Sequence, residues 1–101
     1  MYCIKFETEG KSHPIIFMEG RLDAVRDIEK QLADILLSTL KESQTFPEVL
    51  IDLEKVEFIG EDCLKMFERV RQSYPIEFQG YSLFNETKLR EHSLLSNLTN
   101  C

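Results

Sequence analysis

The sequence is poor in the features that most directly announce an enzyme, an exported protein or a nucleic-acid binder. Cysteine occurs three times, at Cys3, Cys63 and Cys101, with no CxxC spacing. An odd number of cysteines without pairing pattern argues against a disulfide framework and fits a reducing cytoplasm. Glycine occurs four times, too few to build a phosphate cradle easily. None of the patterns G-x-x-x-x-G-K-[ST], G-x-G-x-x-G or G-x-S-x-G is present. The longest apolar runs reach four or five residues, too short to cross a bilayer, so no membrane insertion is expected. No basic segment followed by a long apolar stretch opens the chain, and no secretory signal is expected. Without secretion, the glycosylation patterns at Asn85-Glu86-Thr87 and Asn97-Leu98-Thr99 carry no meaning.

Positive charge is also scarce. Twelve Lys and Arg stand against 18 Asp and Glu, a formal charge of −6. The densest basic cluster, Lys65, Arg69 and Arg71, is offset by Glu68. A nucleic-acid binder needs a basic footprint to displace phosphate counterions, so nucleic acid is not an expected partner. His13 and His92 are the only histidines and lie far apart in the chain. A zinc site needs three or four converging nitrogen or sulfur ligands, so neither a metal nor a cofactor is expected.

What is present is a folding composition. The 101 residues are 43% hydrophobic and 30% charged, with seven Phe spread along the chain, enough for one domain over residues 1–101 with one modest core. Residues 2–8 alternate between apolar and polar as a half-buried strand does. A turn at 9–12 leads to a second strand at 14–18, with Pro14 at its start because proline cannot donate to a ladder, and Gly20 closing it. From Asp23, a candidate cap, Val25, Ile28, Leu32, Ile35, Leu36 and Leu40 recur at helical spacing. Pro47 ends the following connection. Val49–Leu53 is almost continuously apolar, as a strand covered on both faces would be. Glu54–Glu57 reads as a polar turn and residues 61–73 as a second helix. Met66 and Phe67 are adjacent there, so one of the two is expected off its main stripe. Residues 76–81 alternate as a fourth strand. Asn85 or Thr87 is placed to cap a last helix carrying Leu89, Leu94, Leu95 and Leu98. The expected class is α/β: a mixed, mostly parallel sheet of about four strands with helices mainly on one face.

Two segments carry a resemblance. Gly20-Arg21-Leu22-Asp23 lies between the second strand and the long helix, and the run from Val49 to Ile59 leads into the second helix. Together they resemble the STAS domain, the sulphate transporter and anti-sigma factor antagonist family of bacterial signalling proteins. In that family a G-x-L-D turn precedes a helix. A strand of the form hydrophobic-hydrophobic-D-L then leads, through a polar link and a hydrophobic pair, to an Asp-Ser-Ser/Thr-Gly-Leu turn. The similarity spans nearly the whole chain and implies a STAS-like fold and a cytoplasmic, non-enzymatic role. The implied partner is a kinase-like anti-sigma factor, which the family releases when the loop is phosphorylated. The surface it implies here is Phe58, Gly60, Glu61, Asp62 and Cys63 together with the Gly20 to Asp23 turn.

The departure falls on the switch itself. Where the family has Asp-Ser-Ser/Thr-Gly-Leu, this chain has Gly60-Glu61-Asp62-Cys63-Leu64. Asp62 stands at the phosphorylation-equivalent position, and no hydroxyl residue lies between Val49 and Arg71, so a kinase has no acceptor. A phosphoserine would bring about −1.5 to −2 charges, and Glu61 with Asp62 bring a comparable formal charge. The same two acids also suit the partly positive start of a helix, worth about 0.3–1 kcal/mol each. Imitation of the phosphorylated state and simple electrostatic capping are both open.

Alternatives remain at this level. A STAS-like structural subunit of a transport or signalling complex needs no phosphorylation, and a homodimer is compatible with either role. Catalysis by paired carboxylates, Glu61 with Asp62 or Asp52 with Glu54, would require shifted pKa values inside a cleft, whereas adjacent acids at a helix start are usually solvated. Cys63 at a helix start would have a lowered thiol pKa in principle, but its acidic neighbours oppose that, leaving a small packed residue.

Overall fold

Hydrogen bonding organises the elements around one four-stranded sheet. The computed structural model describes residues 2–7, 14–42 and 49–95, with side chains as far as Ser38 in the second stretch. In chain order these are β1 (Tyr2–Glu7), β2 (Ile15–Leu22), α1 (Val25–Glu42), β3 (Val49–Ile59), α2 (Glu61–Ser73), β4 (Ile76–Gln79) and α3 (Leu83–Glu91). The strand order is β1-β2-β3-β4. β1 runs antiparallel to β2, while β2–β3 and β3–β4 are parallel. Parallel neighbours cannot be joined by a tight turn, and α1 and α2 supply the two crossovers.

Burial along the strands explains where the helices sit. Ile16 and Met18 of β2, Val49, Ile51 and Leu53 of β3, and Ile76 and Phe78 of β4 are buried. The residues between them, Ile15, Phe17, Leu50, Asp52, Glu77 and Gln79, are half-buried. Register aligns Ile16, Ile51 and Phe78 in one cross-strand row on the helix-covered face. Ile28, Leu32 and Leu36, four residues apart, bury a single stripe of α1 against it. Cys63, Leu64, Met66, Phe67 and Val70 do the same from α2. Phe67 meets Phe78 edge to face, with ring centroids 5.1 Å apart at 72°, and all of these residues join one contiguous core.

Several local expectations need correction. Val49–Leu53 is not covered on both faces, because its burial alternates instead of being continuous. Glu54–Glu57 is not a turn, since β3 runs through it without interruption. Between Phe17 and Leu22 the β2–β3 register slips twice, and each slip adds a residue on the β3 side. Those bulges absorb the consecutive polar residues that look like a turn in one dimension. β2 likewise continues past Gly20 to Leu22, and β4 stops at Gln79. Pro14 does precede its strand, its carbonyl accepting from the Leu50 N–H. Neither Met66 nor Phe67 points outward, as both are fully buried.

At the helix ends, α1 starts at Val25 with the Ala24 carbonyl accepting from Ile28 N–H, so Asp23 lies ahead of the cap position. α3 is capped by neither Asn85 nor Thr87. Ser82 caps it, its Oγ accepting from the Asn85 N–H at 3.2 Å. Asn85 is buried instead and donates through Nδ2 to the Val56 carbonyl at 3.2 Å, tying α3 to the bulged stretch of β3. Leu94 and Leu95 are buried beyond the end of α3. The turn at 9–12, Pro47 and Leu98 lie outside the described residues, as does the side chain of Leu40.

Candidate functional site

The site is assembled by close backbone contact between two chain segments distant in sequence. The Gly60 N–H donates to the Leu22 carbonyl at 2.8 Å, locking the end of β3 to the end of β2. A Cβ on Gly60 would stand 3.3 Å from the Leu22 oxygen and 3.6 Å from the Asp23 Cα. Its φ of −71° is ordinary, so glycine is needed for the approach and not for the conformation. Gly20 is needed for conformation: its φ is +90°, beside the second register shift, where β2 turns toward the α1 connection. The expected turn and loop are thus the end of β2 running into Asp23, set against the junction of β3 and α2 from Phe58 to Cys63, with Gly60 alone between those two elements.

α2 starts from this junction. Gly60 has no side chain with which to cap it, and its carbonyl accepts the first helical bond from the Leu64 N–H. Glu61 and Asp62 occupy the first turn, where the unpaired amides and macrodipole favour negative charge. Both are exposed. Asp62 makes no hydrogen bond or ion pair among the described residues. Asp23, also exposed, lies 3.7 Å from the Arg21 Nε.

Cys63 forms the floor beneath these acids. It is fully buried, and burial first, then the charges of Asp23 and Asp62, push its thiol up to about 11. Only a thiolate is an effective nucleophile, so Cys63 is an inert core residue and presents no surface.

Phe58, half-buried at the other side of Gly60, has two cations against its ring. The Arg21 guanidinium carbon is 4.6 Å and the Lys88 Nζ 4.4 Å from the centroid, contacts worth about 0.5–1 kcal/mol each at exposed sites. Lys88 also donates to the Ile59 carbonyl at 3.3 Å and lies 4.8 Å from the ring of Phe84. Phe84 and its neighbour Leu83 are 59% and 82% exposed. An apolar and cationic patch therefore adjoins the acidic start of α2.

The end of α3 reaches the same helix. His92, the C-cap residue of α3, lies between two carboxylates of α2. Its Nε2 is 2.8 Å from Glu61 Oε2, and its Nδ1 contacts Glu68 Oε2. These contacts, Glu68 first, raise its pKa above the ordinary value of 6.5, against the opposing effect of burial. Arg71 completes the junction by donating to the carbonyls of Ser93 and Leu94 and pairing with Glu77 at 2.8 Å.

Sequence reading groups Gly20, Asp23, Phe58, Gly60, Glu61, Asp62 and Cys63; the structure sets Gly60 against Leu22 and Asp23 and leaves Glu61 and Asp62 exposed, whereas Cys63 is buried and offers a partner no surface. Sequence reading includes Arg21 only as part of the Gly20 to Asp23 stretch, and gives no role to Leu83, Phe84, Lys88 or His92. These four belong to α3 or its end, whose start is misplaced by the cap-like Asn85 and Thr87. Asp52 serves structure: Oδ1 accepts from the Glu54 N–H at 2.9 Å and Oδ2 from Gln79 Nε2 at 3.0 Å. Among the described residues no cluster of His, Cys, Asp and Glu is arranged to hold a metal ion, and no helix is long and apolar enough to cross a membrane. His13 and Cys101 lie outside the described residues.

A mixed four-stranded sheet with this element order and three helices matches a SpoIIAA-like α/β fold. The chain is similar to an anti-sigma factor antagonist from Mycobacterium paratuberculosis, with a TM-score of 0.65 at 16% identity over 90% of this chain and 79% of that one. It is similar also to an uncharacterised protein of the DUF3478 family, with a SpoIIAA-like fold, from Shewanella loihica PV-4. There the TM-score is 0.59 at 14% identity, over 89% of this chain and 75% of that one. No family model and no curated protein matches the sequence.

Proposed function

We propose that this domain is a regulatory protein-binding module that grips its partner with the leading end of α2, and that no kinase switches this loop. The observation that carries the proposal is the exposure of Glu61 and Asp62 in the first turn of α2, where Asp62 makes no hydrogen bond or ion pair among the described residues. Asp62 stands where the resembling family carries its phosphorylated hydroxyl. The solved anti-sigma factor antagonist with the same fold supports a role in binding protein. Asp23, Glu61 and Asp62 form a negative face, and Phe58 offers an apolar contact beside it. Such a face suits a partner presenting Lys or Arg, with the charges contributing to orientation and association rate more than to affinity. No bond need be made or broken for this role.

The test is comparative affinity capture from the native cell extract, followed by binding measurements with the purified captured protein. A partner held by the wild type, lost by the Glu61→Lys, Asp62→Lys double variant, and retained by a Glu91→Lys control supports the proposal. Equal capture by all three places the interface elsewhere and overturns it.

A further inference from the structure

Three residues outside the leading turn make a device that bears on it. Glu61 and Glu68 are seven residues apart on α2, just under two helical turns, and so share a face. His92, arriving from the end of α3, inserts its ring between them, Nε2 toward Glu61 at 2.8 Å and Nδ1 toward Glu68. A neutral imidazole has one N–H and can donate to only one of two flanking carboxylates, whereas an imidazolium donates to both. The arrangement is therefore complete only in the protonated state.

We propose that His92 is a protonation-gated clasp on the proposed partner face: as imidazolium it bridges Glu61 and Glu68, and on losing its proton it releases Glu61 to solvent and to the partner. Glu61 is the arm released because its side chain is the more exposed of the two, 67% against 41% for Glu68. A proton moves from the ring to water and no other bond changes.

The surrounding charges are consistent with this assignment. Glu61 and Glu68 face the ring from α2. Arg71, one turn beyond Glu68, lines the same groove of about 230 Å³ with Gln72, Ser93 and Leu94. Its guanidinium is occupied by Glu77 and by the Ser93 and Leu94 carbonyls, so it does not displace His92 from either carboxylate. On the ring's own segment, Lys88 is directed to Phe58 and the Ile59 carbonyl, and Arg90 is paired with Glu86. Histidine is the side chain whose charge changes near neutral pH, and the two carboxylates move that change upward for His92.

The regulatory half rests on the partner-face reading of Glu61, while the clasp itself does not. The first experiment is an NMR pH titration of the whole chain, following the His92 ring nitrogens and the Glu61 and Asp62 amides. The expected result is a His92 midpoint above that of free imidazole, with the Glu61 amide moving at the same midpoint. Glu61→Gln and Glu68→Gln should each lower that midpoint. A His92 midpoint at or below the free value, or a Glu61 amide indifferent to it, overturns the clasp.

The second experiment titrates a short oligolysine peptide as a probe for a basic partner, on either side of the His92 midpoint. Binding at Glu61 and Asp62 should strengthen about two- to fivefold as His92 loses its proton, the worth of one exposed ion pair, and should lose this dependence in His92→Gln. Binding at those residues with no such dependence overturns the regulation but leaves the clasp standing. Peptide contacts confined to other surfaces count against the partner-face reading, and so against the regulation built on it, while the ring titration still decides the clasp.

Discussion

α2 carries two opposite faces on thirteen residues. Cys63, Leu64, Met66, Phe67 and Val70 are all buried and join α2 to the sheet. Glu61, Asp62 and Lys65 are exposed and contribute nothing to the core. The lesson of the difference is that one stripe of the helix holds the fold, while the two leading acids stay outside the core.

The strongest way to break the buried half is Phe67→Ala. It removes a fully buried ring and its contact with Phe78, and should cost about 3–5 kcal/mol, read as a lower midpoint in urea denaturation. The junction between the two halves is weaker. Gly60→Ala forces a Cβ against the Leu22 carbonyl at 3.3 Å, so an overpacking loss of about 1–3 kcal/mol is expected. The amide signals of Asp23 and Glu61 should shift together, and an unchanged spectrum would show that the junction is looser than its geometry.

The third prediction concerns pH. Because the folded-state pKa of His92 is raised above 6.5, its contribution to stability is full below that value and is lost as pH rises through the folded pKa. Denaturation midpoints measured across this window should fall with rising pH in the wild type and flatten in His92→Gln; equal slopes in the two proteins would remove the clasp from the stability account. The smallest stability effect belongs to the exposed half. Asp62→Ser should change stability by no more than about 1 kcal/mol, the worth of one acid at a helix start, while weakening partner binding. Unchanged partner affinity would show that this acid has no special part in recognition.

Much of this was legible before any coordinates. Ile28, Leu32 and Leu36 announce the buried face of α1 by spacing alone, and Gly20-Arg21-Leu22-Asp23 with the run from Val49 to Ile59 carries the resemblance that points to the fold. The misreadings share a physical cause. Glu54 to Glu57 looks like a turn because its polar residues are consecutive, but a parallel neighbour with free backbone groups recruits them into β3 through two bulges. Asn85 looks like a cap because its side chain suits one, but the core offers it the Val56 carbonyl, and Ser82 takes the cap instead.

By itself the sequence determined the class of fold, the amphipathic helices and the acidic, hydroxyl-free character of the loop, because periodicity, turn chemistry and charge are local properties of the chain. The tertiary structure alone decided that Gly60 rests on Leu22, that Arg21 and Lys88 flank the Phe58 ring, and that His92 closes on Glu61 and Glu68. Each of those contacts joins residues 24 or more positions apart, and no local pattern encodes a distance across the fold.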